Sequence, residues 1–184
     1  MLVEAIVIKK NPTREHDQLV TLYCRELGKT TGIARSILKA HSVQALQLDE
    51  GNLMRCELVP GKGSHIITGA QAVRCYSNLK ASPAGCAAMQ FFLQIVDTLV
   101  YDHQQDEALF ACLTGTLAAL DRVPAQDVVA VFRQCQRDLL GVLGYGYTIA
   151  DISSRRGRTD TDDLYEQIAQ KKLGTIDLFY EMVS

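Results

Sequence analysis

Cysteine and histidine are the residues of this sequence that could carry nucleophilic or metal chemistry. The cysteines stand at positions 24, 56, 75, 86, 112 and 135, at least eleven positions apart, so no Cys-x-x-Cys pair is present. A structural zinc site usually needs such a pair, because two ligands from one turn must reach the same ion. The histidines at 16, 41, 65 and 103 form neither His-x-x-x-His nor His-Glu-x-x-His. The spacing therefore predicts small apolar cysteines and no metal site.

Two further stretches of the sequence partly match functional motifs. Gly28-Lys29-Thr30 has the ending of a phosphate-binding loop, but Tyr23 stands where that loop needs its first glycine. Asp160, Asp162 and Asp163 could hold a cation, but acids at a predicted helix start are explained by capping and the helix dipole. We therefore predict a protein that is not an enzyme and needs no cofactor. A hydrolase with a Cys–His pair assembled by the fold stays open, and it requires a cysteine of lowered pKa.

The composition is that of an ordinary globular protein, with 184 residues of which 47% are hydrophobic and 22% charged. No stretch of about 18 apolar residues is present, so we expect no membrane span. The N-terminus carries an acid, Glu4, where a signal peptide has bases, and a cytoplasmic location is expected.

The net charge of −2 is unevenly divided along the chain. Residues 1–80 hold 11 Lys and Arg against 7 Asp and Glu, whereas residues 81–184 hold 8 against 14. A basic half is typical of a surface that faces a polyanion, although a solvated surface gives the same balance.

The first eighty residues carry the pattern of short strands. Gly28 is expected in a tight hairpin, and Pro60-Gly61-Lys62-Gly63 is the clearest turn. Five such strands fit a small closed barrel, which leaves no exposed edge. The predicted strands span residues 2–9, 19–24, 29–38, 53–59 and 65–76, with the last one broken near Gly69.

The rest of the chain carries the periodicity of helices. Ser82-Pro83 is a helix start with serine as the N-cap, and Gly144 is a typical helix end. The sequence therefore predicts an α+β protein that consists of a barrel over residues 1–80 followed by a helical bundle over residues 81–184. The predicted helices span residues 84–101, 107–120, 124–143 and 161–172, and a last one begins at residue 176.

Basic side chains are spread over the strands and turns of the predicted barrel. If they converge on one open face, they form a platform that neutralises phosphates and releases counterions. Residues 1–80 contain only Tyr23 and Tyr76 as aromatics, so base stacking is expected to contribute little. The candidate nucleic-acid-binding residues are Lys9, Lys10, Arg14, Arg25, Lys29, Arg35, Lys39, Arg55 and Lys62.

Several stretches, taken in order, carry a family resemblance. Residues 4–9 read EAIVIK, residues 19–29 read LVTLYCRELGK, and Ile33-Ala34-Arg35, Ala45-Leu46-Gln47 and residues 59–63 follow. A later helix contains Phe132-Arg133 and Leu139-Leu140 and ends in Leu-Gly-Tyr-Gly at residues 143–146. The order and spacing of these motifs, over roughly residues 3–150, resemble the bacterial recombination mediator family RecO.

The resemblance implies an OB-fold barrel followed by a helical domain. It also implies binding of single- and double-stranded DNA, annealing of complementary strands, and cooperation with RecR to help RecA replace single-strand-binding protein (SSB). The helical domain of the family can receive the acidic-hydrophobic tail of SSB. Arg133 and Arg137 lie in the matching helix and are the candidate partner-binding residues, because an arginine beside an apolar groove suits such a tail.

The sequence departs from the family pattern in three places. No cysteine follows the Leu-Gly-Tyr-Gly motif, so a zinc site is not carried over, and Arg155-Arg156-Gly157-Arg158 occupies that stretch. Residues 36–47 keep only Lys39 and His41 of a usually richer basic segment. The chain also ends earlier than usual members. The main hypothesis is a DNA-binding mediator of recombinational repair, and the alternative is a protein-interaction adaptor whose barrel no longer binds DNA.

Overall fold

The computed structural model describes residues 1–13, 17–35, 48–145 and 160–183. The chain divides into two compact units, of which the first contains Met1–Cys75 and Val100–Phe110. The second contains Tyr76–Leu99 and Ala111–Ser184. That residues 1–80 and 81–184 work as a DNA-binding domain and a partner-binding domain stays a prediction.

The first unit is built on a closed barrel of five strands in the order β1-β2-β3-β5-β4. Neighbouring strands are antiparallel except β3 and β5, which run parallel. The predicted five-stranded barrel followed by helices is confirmed, and the order is that of an OB-fold. The strands are β1 (Leu2–Pro12), β2 (Gln18–Cys24), β3 (Gly28–Ala34), β4 (Leu53–Val59) and β5 (His65–Arg74).

Alternating side chains fill the interior of the barrel, as the period of a half-buried strand requires. Buried and partly exposed residues alternate without a break along β3 and β4. The interior is filled by buried hydrophobic residues: Val3, Ala5, Val7, Val20, Leu22, Cys24, Ala34, Leu48, Met54, Cys56, Leu58 and Ile67.

Two details of the barrel agree with the glycine pattern. Gly28 has φ 67° in the β2–β3 turn, a left-handed conformation that glycine adopts without steric cost. The pairing of β4 with β5 shifts register between Glu57 and Leu58, next to Gly69. This is the irregularity that a glycine inside a strand pattern indicates.

The helices follow the predicted order with shifted ends. Ser82 caps α2, because its Oγ accepts a hydrogen bond from the Gly85 backbone N–H at 3.0 Å. Pro124 opens a 3₁₀ turn, Ala125–Asp127, before α4 begins, and Gly144 follows the end of α4 with φ 83°. The short helix α1 was not predicted. The helices are α1 (Ser77–Ala81), α2 (Pro83–Leu99), α3 (Glu107–Leu120), α4 (Val128–Val142), α5 (Asp160–Ala169) and α6 (Gly174–Val183).

Aromatic rings form the centre of the second unit. The Phe132 ring lies edge-on to Phe179 at a centroid distance of 5.0 Å and to Phe91 at 5.4 Å. Edge-to-face pairs of this kind add to the burial energy of the rings and hold α2, α4 and α6 together. Among the described residues, no helix combines the length and apolar character needed to span a bilayer.

Candidate nucleic-acid interface

The strand directions give the barrel two distinct ends. At the upper end, Pro12 of β1 pairs with Gln18 of β2, and Gln18 pairs with Ala34 of β3. At the lower end, Cys24 of β2 pairs with Gly28 of β3. The turn between β4 and β5, at residues 60–64, directly precedes His65, which pairs with Gly32 of β3, so this turn lies beside the central part of β3. The paired residues thus give the position of the described candidate cations along the barrel.

Arg25, at the lower end, is held by two carboxylates and a ring. Its Nη1 lies 2.5 Å from Glu4 Oε2, and its Nε lies 3.2 Å from Glu107 Oε1. Its guanidinium carbon also lies 4.5 Å from the centre of the Phe110 ring, within cation–π range. The positive charge of Arg25 is thus balanced by the protein's own acids.

Lys29 is similarly engaged by the Val100–Phe110 segment of the first unit. Its Nζ lies 3.5 Å from Asp102 Oδ1, and its side chain is only 12% exposed. The Lys29 carbonyl oxygen also accepts a hydrogen bond from the His103 backbone N–H at 2.8 Å. A lysine in this position has little freedom to meet a phosphate.

The same segment covers Tyr23 on β2. The Tyr23 and Phe110 rings are stacked at a centroid distance of 6.4 Å, and the Tyr23 hydroxyl donates to the Gln104 carbonyl at 3.3 Å. Burial, followed by the charge of Asp106, raises the pKa of Tyr23 to about 12. Tyr23 is fully buried, so it offers no surface on which a base could stack.

The upper end presents a different arrangement. Arg35 is exposed directly after β3, at the upper end, whereas Lys9 is exposed on β1 and pairs with Thr21 in the middle of β2. Lys10 is engaged, because its Nζ lies 2.8 Å from Asp49 Oδ1. Arg14 and Lys39 lie outside the described residues. They fall in sequence between β1 and β2 and between β3 and β4, two connections that start from the upper end.

Arg55 and Lys62 belong to β4 and to the turn that follows it. Arg55 is exposed in the middle of β4, where its backbone neighbours are Glu4 on β1 and Gln71 on β5. Lys62 is exposed in the β4–β5 turn. Arg25 and Lys29 lie at the lower end and Arg35 at the upper end, and convergence of the candidate cations on one face stays a prediction. The role of each in DNA binding stays a prediction.

Replacing Arg25 by alanine is expected to lower the free energy of unfolding by about 1–2 kcal/mol, from two partly exposed ion pairs and one cation–π contact. DNA affinity should change less than about twofold, because the Arg25 charge is already balanced. Urea unfolding and oligonucleotide anisotropy measure the two effects. The matched control is Arg122→Ala, an exposed arginine beyond α3. A large loss of DNA affinity at unchanged stability would contradict this assignment.

The candidate partner-binding residues both lie on α4 but have different surroundings. The Arg133 side chain hydrogen-bonds to the Tyr180 hydroxyl, which in turn donates to Asp162 Oδ2 at 2.5 Å. The Arg137 Nη2 donates to Gln134 Oε1, one turn earlier on the same helix, at 2.6 Å. Arg133 is therefore part of a network between helices, whereas Arg137 lies on the surface of α4.

Asp162 has a structural role that its position at a helix start did not indicate. It is fully buried, and its Oδ1 accepts a hydrogen bond from Gln136 Nε2 at 3.0 Å. Its role is to join α4, α5 and α6, which helix capping alone would not require. Burial, together with the hydrogen bond to Asp162, raises the pKa of Tyr180 to about 12.

The buried Cys24 and Cys56 and the half-buried Cys112 have the properties of core residues. Burial raises the thiol pKa of Cys24 to about 12 and those of Cys56 and Cys112 to about 11. A nucleophilic cysteine needs the opposite shift. Within the described part of the chain, no three His, Cys, Asp or Glu residues are placed to hold a metal ion.

Comparison with known proteins agrees with this architecture. Residues 1–76 match the family model described as "Recombination protein O N terminal". The chain is also 30% identical over 142 residues to a protein of Roseiflexus sp. (strain RS-1) named "DNA repair protein RecO". This chain belongs to the RecO family. The match confirms the resemblance seen in the sequence.

Other RecO relatives extend the match into the helical unit. Proteins of the same name from Geobacter metallireducens and Geobacter sulfurreducens are 25% and 29% identical over 151 and 169 residues. The three matches cover 77%, 82% and 86% of this chain but 49%, 61% and 69% of the respective relatives. The chain thus spans about half to two thirds of the length of these curated relatives.

Proposed function

We propose that this chain is a non-enzymatic DNA-binding protein of recombinational repair. The observation that carries the proposal is that the closed barrel at residues 1–76 matches the RecO N-terminal family and that the relatives are named DNA repair proteins. In this role the barrel binds single- and double-stranded DNA and anneals complementary strands. It would act in the bacterial cytoplasm, at the nucleoid.

The DNA-binding surface is proposed at the upper end of the barrel. Arg35 is exposed there, and Arg14 and Lys39 belong to the connections that start there. The lower end is disfavoured, because Arg25 and Lys29 face Glu4, Glu107 and Asp102. Since phosphate contacts supply most sequence-independent affinity, a DNA strand gains most where cations still face solvent.

The proposed mechanism is electrostatic. The only aromatic residue on the barrel strands, Tyr23, is fully buried, so stacking on strand residues contributes little. Cations that neutralise the phosphates of two strands lower their mutual repulsion, which favours annealing. This mechanism predicts strong salt dependence and weak sequence preference.

Fluorescence anisotropy with labelled single-stranded oligonucleotide, at low and high salt, tests the proposal directly. Binding at low salt that weakens steeply as salt rises would support it. If no anisotropy change occurs at low salt with the folded protein, the DNA-binding function fails.

The helical unit is proposed to recruit protein partners. In this proposal the chain works with RecR, binds the C-terminal tail of SSB and indirectly promotes loading of RecA. Because Arg133 is engaged by Tyr180, we propose Arg137 as the residue that meets the carboxylate of an acidic-hydrophobic tail.

Arg137→Ala is expected to weaken binding of a labelled peptide with the SSB tail sequence about tenfold, the loss of one charge-assisted hydrogen bond. Isothermal titration measures the affinity, and Arg122→Ala is the control for loss of an exposed positive charge. Arg133→Ala should mainly lower thermal stability. If wild type and Arg137→Ala bind the peptide with equal affinity, Arg137 is not part of the binding site of the tail.

A protein-interaction adaptor is the second candidate function. It is favoured by the ion pairs of Lys10, Arg25 and Lys29, which reduce the cationic charge that the barrel offers to DNA. The adaptor hypothesis predicts partner binding without DNA binding, and the anisotropy measurement distinguishes it from the DNA-binding function.

A further inference from the structure

The acidic turn at residues 48–52, which ends the connection between β3 and β4, lies against β1. Its backbone is bonded to β1 at two places. The Gly51 N–H donates to the Val7 carbonyl at 2.8 Å, and the Val7 N–H donates to the Asn52 carbonyl at 3.1 Å. Leu48 and Asn52 are also buried. The acidic turn is therefore a fixed part of the first unit.

The acidic turn covers a part of β1 that extends beyond β4. The pairing of β1 with β4 ends at Ile6 and Leu53, whereas β1 itself continues to Pro12. A backbone N–H on this side of β1 needs an acceptor from another part of the chain. Glu50 supplies one, because its Oε1 accepts a hydrogen bond from the Lys10 backbone N–H at 2.9 Å.

Asp49 engages the side chain of the same lysine. Its Oδ1 lies 2.8 Å from Lys10 Nζ, and the exposed fraction of the side chain is 22% for Lys10 and 48% for Asp49. The carboxylates of Asp49 and Glu50 therefore occupy both the ammonium group and the backbone N–H of Lys10. DNA-binding proteins direct donors of these two kinds at phosphate oxygens. The two carboxylates thus take the place that a phosphate would have at Lys10.

Lys10 lies close to the surface proposed for DNA. It pairs with Val20, two positions from the pair of Pro12 and Gln18 that marks the upper end. The connection that ends in the acidic turn begins at Arg35, directly after β3. The same connection therefore carries an exposed cation at its start and two acids at its end.

We propose that the acidic turn makes an autoinhibitory contact that limits the affinity of the barrel for DNA. The inference rests on the proposed DNA-binding function and concerns the regulation of that surface. The two carboxylates compete with a phosphate for Lys10, and their charge opposes the approach of the phosphate. A partly exposed ion pair is weak, so a strand already held by other cations of the upper end displaces Asp49 and gains Lys10 as one more phosphate contact.

Asp49→Asn removes the charge of the contact with almost no change of shape. It is expected to tighten binding of labelled single-stranded oligonucleotide about fivefold at 0.1 M salt, measured by fluorescence anisotropy. One further phosphate contact steepens the slope of log affinity against log salt by about 0.7, which corresponds to this factor at that concentration.

Glu57→Gln is the matched control, because it removes the same charge from an exposed residue of the barrel. Glu57 pairs with Leu2, eight positions from Lys10 along β1. At about 3.3 Å per residue this separation is about 26 Å, well beyond the screening length of about 10 Å at this salt concentration. DNA affinity of the control should therefore change less than about twofold.

Lys10→Gln separates the release of Lys10 from a general effect of charge. In wild type Lys10 is engaged, so this replacement should weaken DNA binding less than about twofold. In the Asp49→Asn background the same replacement should remove the gain in affinity, which a double-mutant cycle measures. Thermal unfolding of each variant verifies that the barrel is folded.

The autoinhibitory contact is overturned, while DNA binding stands, if wild type binds and Asp49→Asn binds no more tightly. It is also overturned if Glu57→Gln gains as much affinity, or if Lys10→Gln leaves the gain intact. If only Asp49→Asn binds, wild type fails the proposed function and the contact is supported, because the acidic turn then blocks the barrel completely. If neither protein binds at low salt, both the proposed function and the contact fail.

Discussion

Replacing Arg14, Arg35 and Lys39 together by alanine is expected to weaken binding of single-stranded oligonucleotide about 100-fold at 0.1 M salt. Each phosphate contact on a single strand contributes about 0.7 to the slope of log affinity against log salt, so three contacts account for about two log units at that concentration. Arg35 is exposed directly after β3, and the other two residues fall in the connections that start at the same end.

The salt slope distinguishes loss of contacts from loss of structure. About four phosphates bound by wild type give a slope of about −3, and the triple variant should retain about −1. The matched control replaces Arg122, Lys171 and Lys172, three exposed cations of the second unit, and removes the same charge. If the control variant loses as much affinity as the triple variant, net charge alone is responsible. An unchanged slope in the triple variant would discard the upper-end surface.

The barrel and the start of α2 could be predicted because the sequence patterns that indicate them involve residues close to one another in sequence. Alternation within β4, the glycine of the β2–β3 turn and the serine before α2 each act on their nearest neighbours in sequence. The structure accordingly keeps Gly28 at φ 67° and Ser82 as the cap of α2. Strand ends were less predictable, and β3 ends at Ala34 rather than at residue 38.

The ion pairs of the cations could not be predicted, because they depend on contacts between distant parts of the chain. Arg25 meets Glu107, and Lys29 meets Asp102, across more than seventy positions of sequence. A cation count therefore could not separate residues engaged by the protein's own acids from those that face solvent. The sequence did contain an indication of these contacts, because Asp102, Asp106 and Glu107 cluster around the start of a helix, but acids there are also a common capping pattern.

The role of Asp162 could not be predicted for the same reason, because it also depends on contacts between distant parts of the chain. An acid near a helix start is usually solvated or caps the helix, and nothing in its neighbours indicated otherwise. Only the packing of α4 and α6 against α5 brings Gln136 and Tyr180 to its two oxygens. A buried carboxylate becomes acceptable when such donors surround it.

Gly28→Ala is expected to lower the free energy of unfolding by about 4 kcal/mol, the largest effect predicted for a single substitution in this chain. A left-handed φ costs alanine about 1–2 kcal/mol, and crowding by an extra methyl typically costs a further 1–3 kcal/mol. The crowding is severe here, because a Cβ at position 28 would lie 2.3 Å from the Gln104 carbonyl oxygen. The backbone of the Val100–Phe110 segment would have to move away from β3.

Two further variants separate the backbone cost from the crowding. Asparagine tolerates a left-handed φ but also carries a Cβ, so Gly28→Asn should recover only the conformational part of the loss. Gly115→Ala in α3 is the control, because its Cβ would meet nothing within 4 Å and helix propensity favours alanine by about 0.5–1 kcal/mol. Urea unfolding at equal protein concentration measures all three. If Gly28→Asn is as stable as wild type, the close approach of Gln104 to Gly28 does not constrain the barrel. If it stays destabilised, the close packing of the 100–110 segment against Gly28 is a structural part of the lower end.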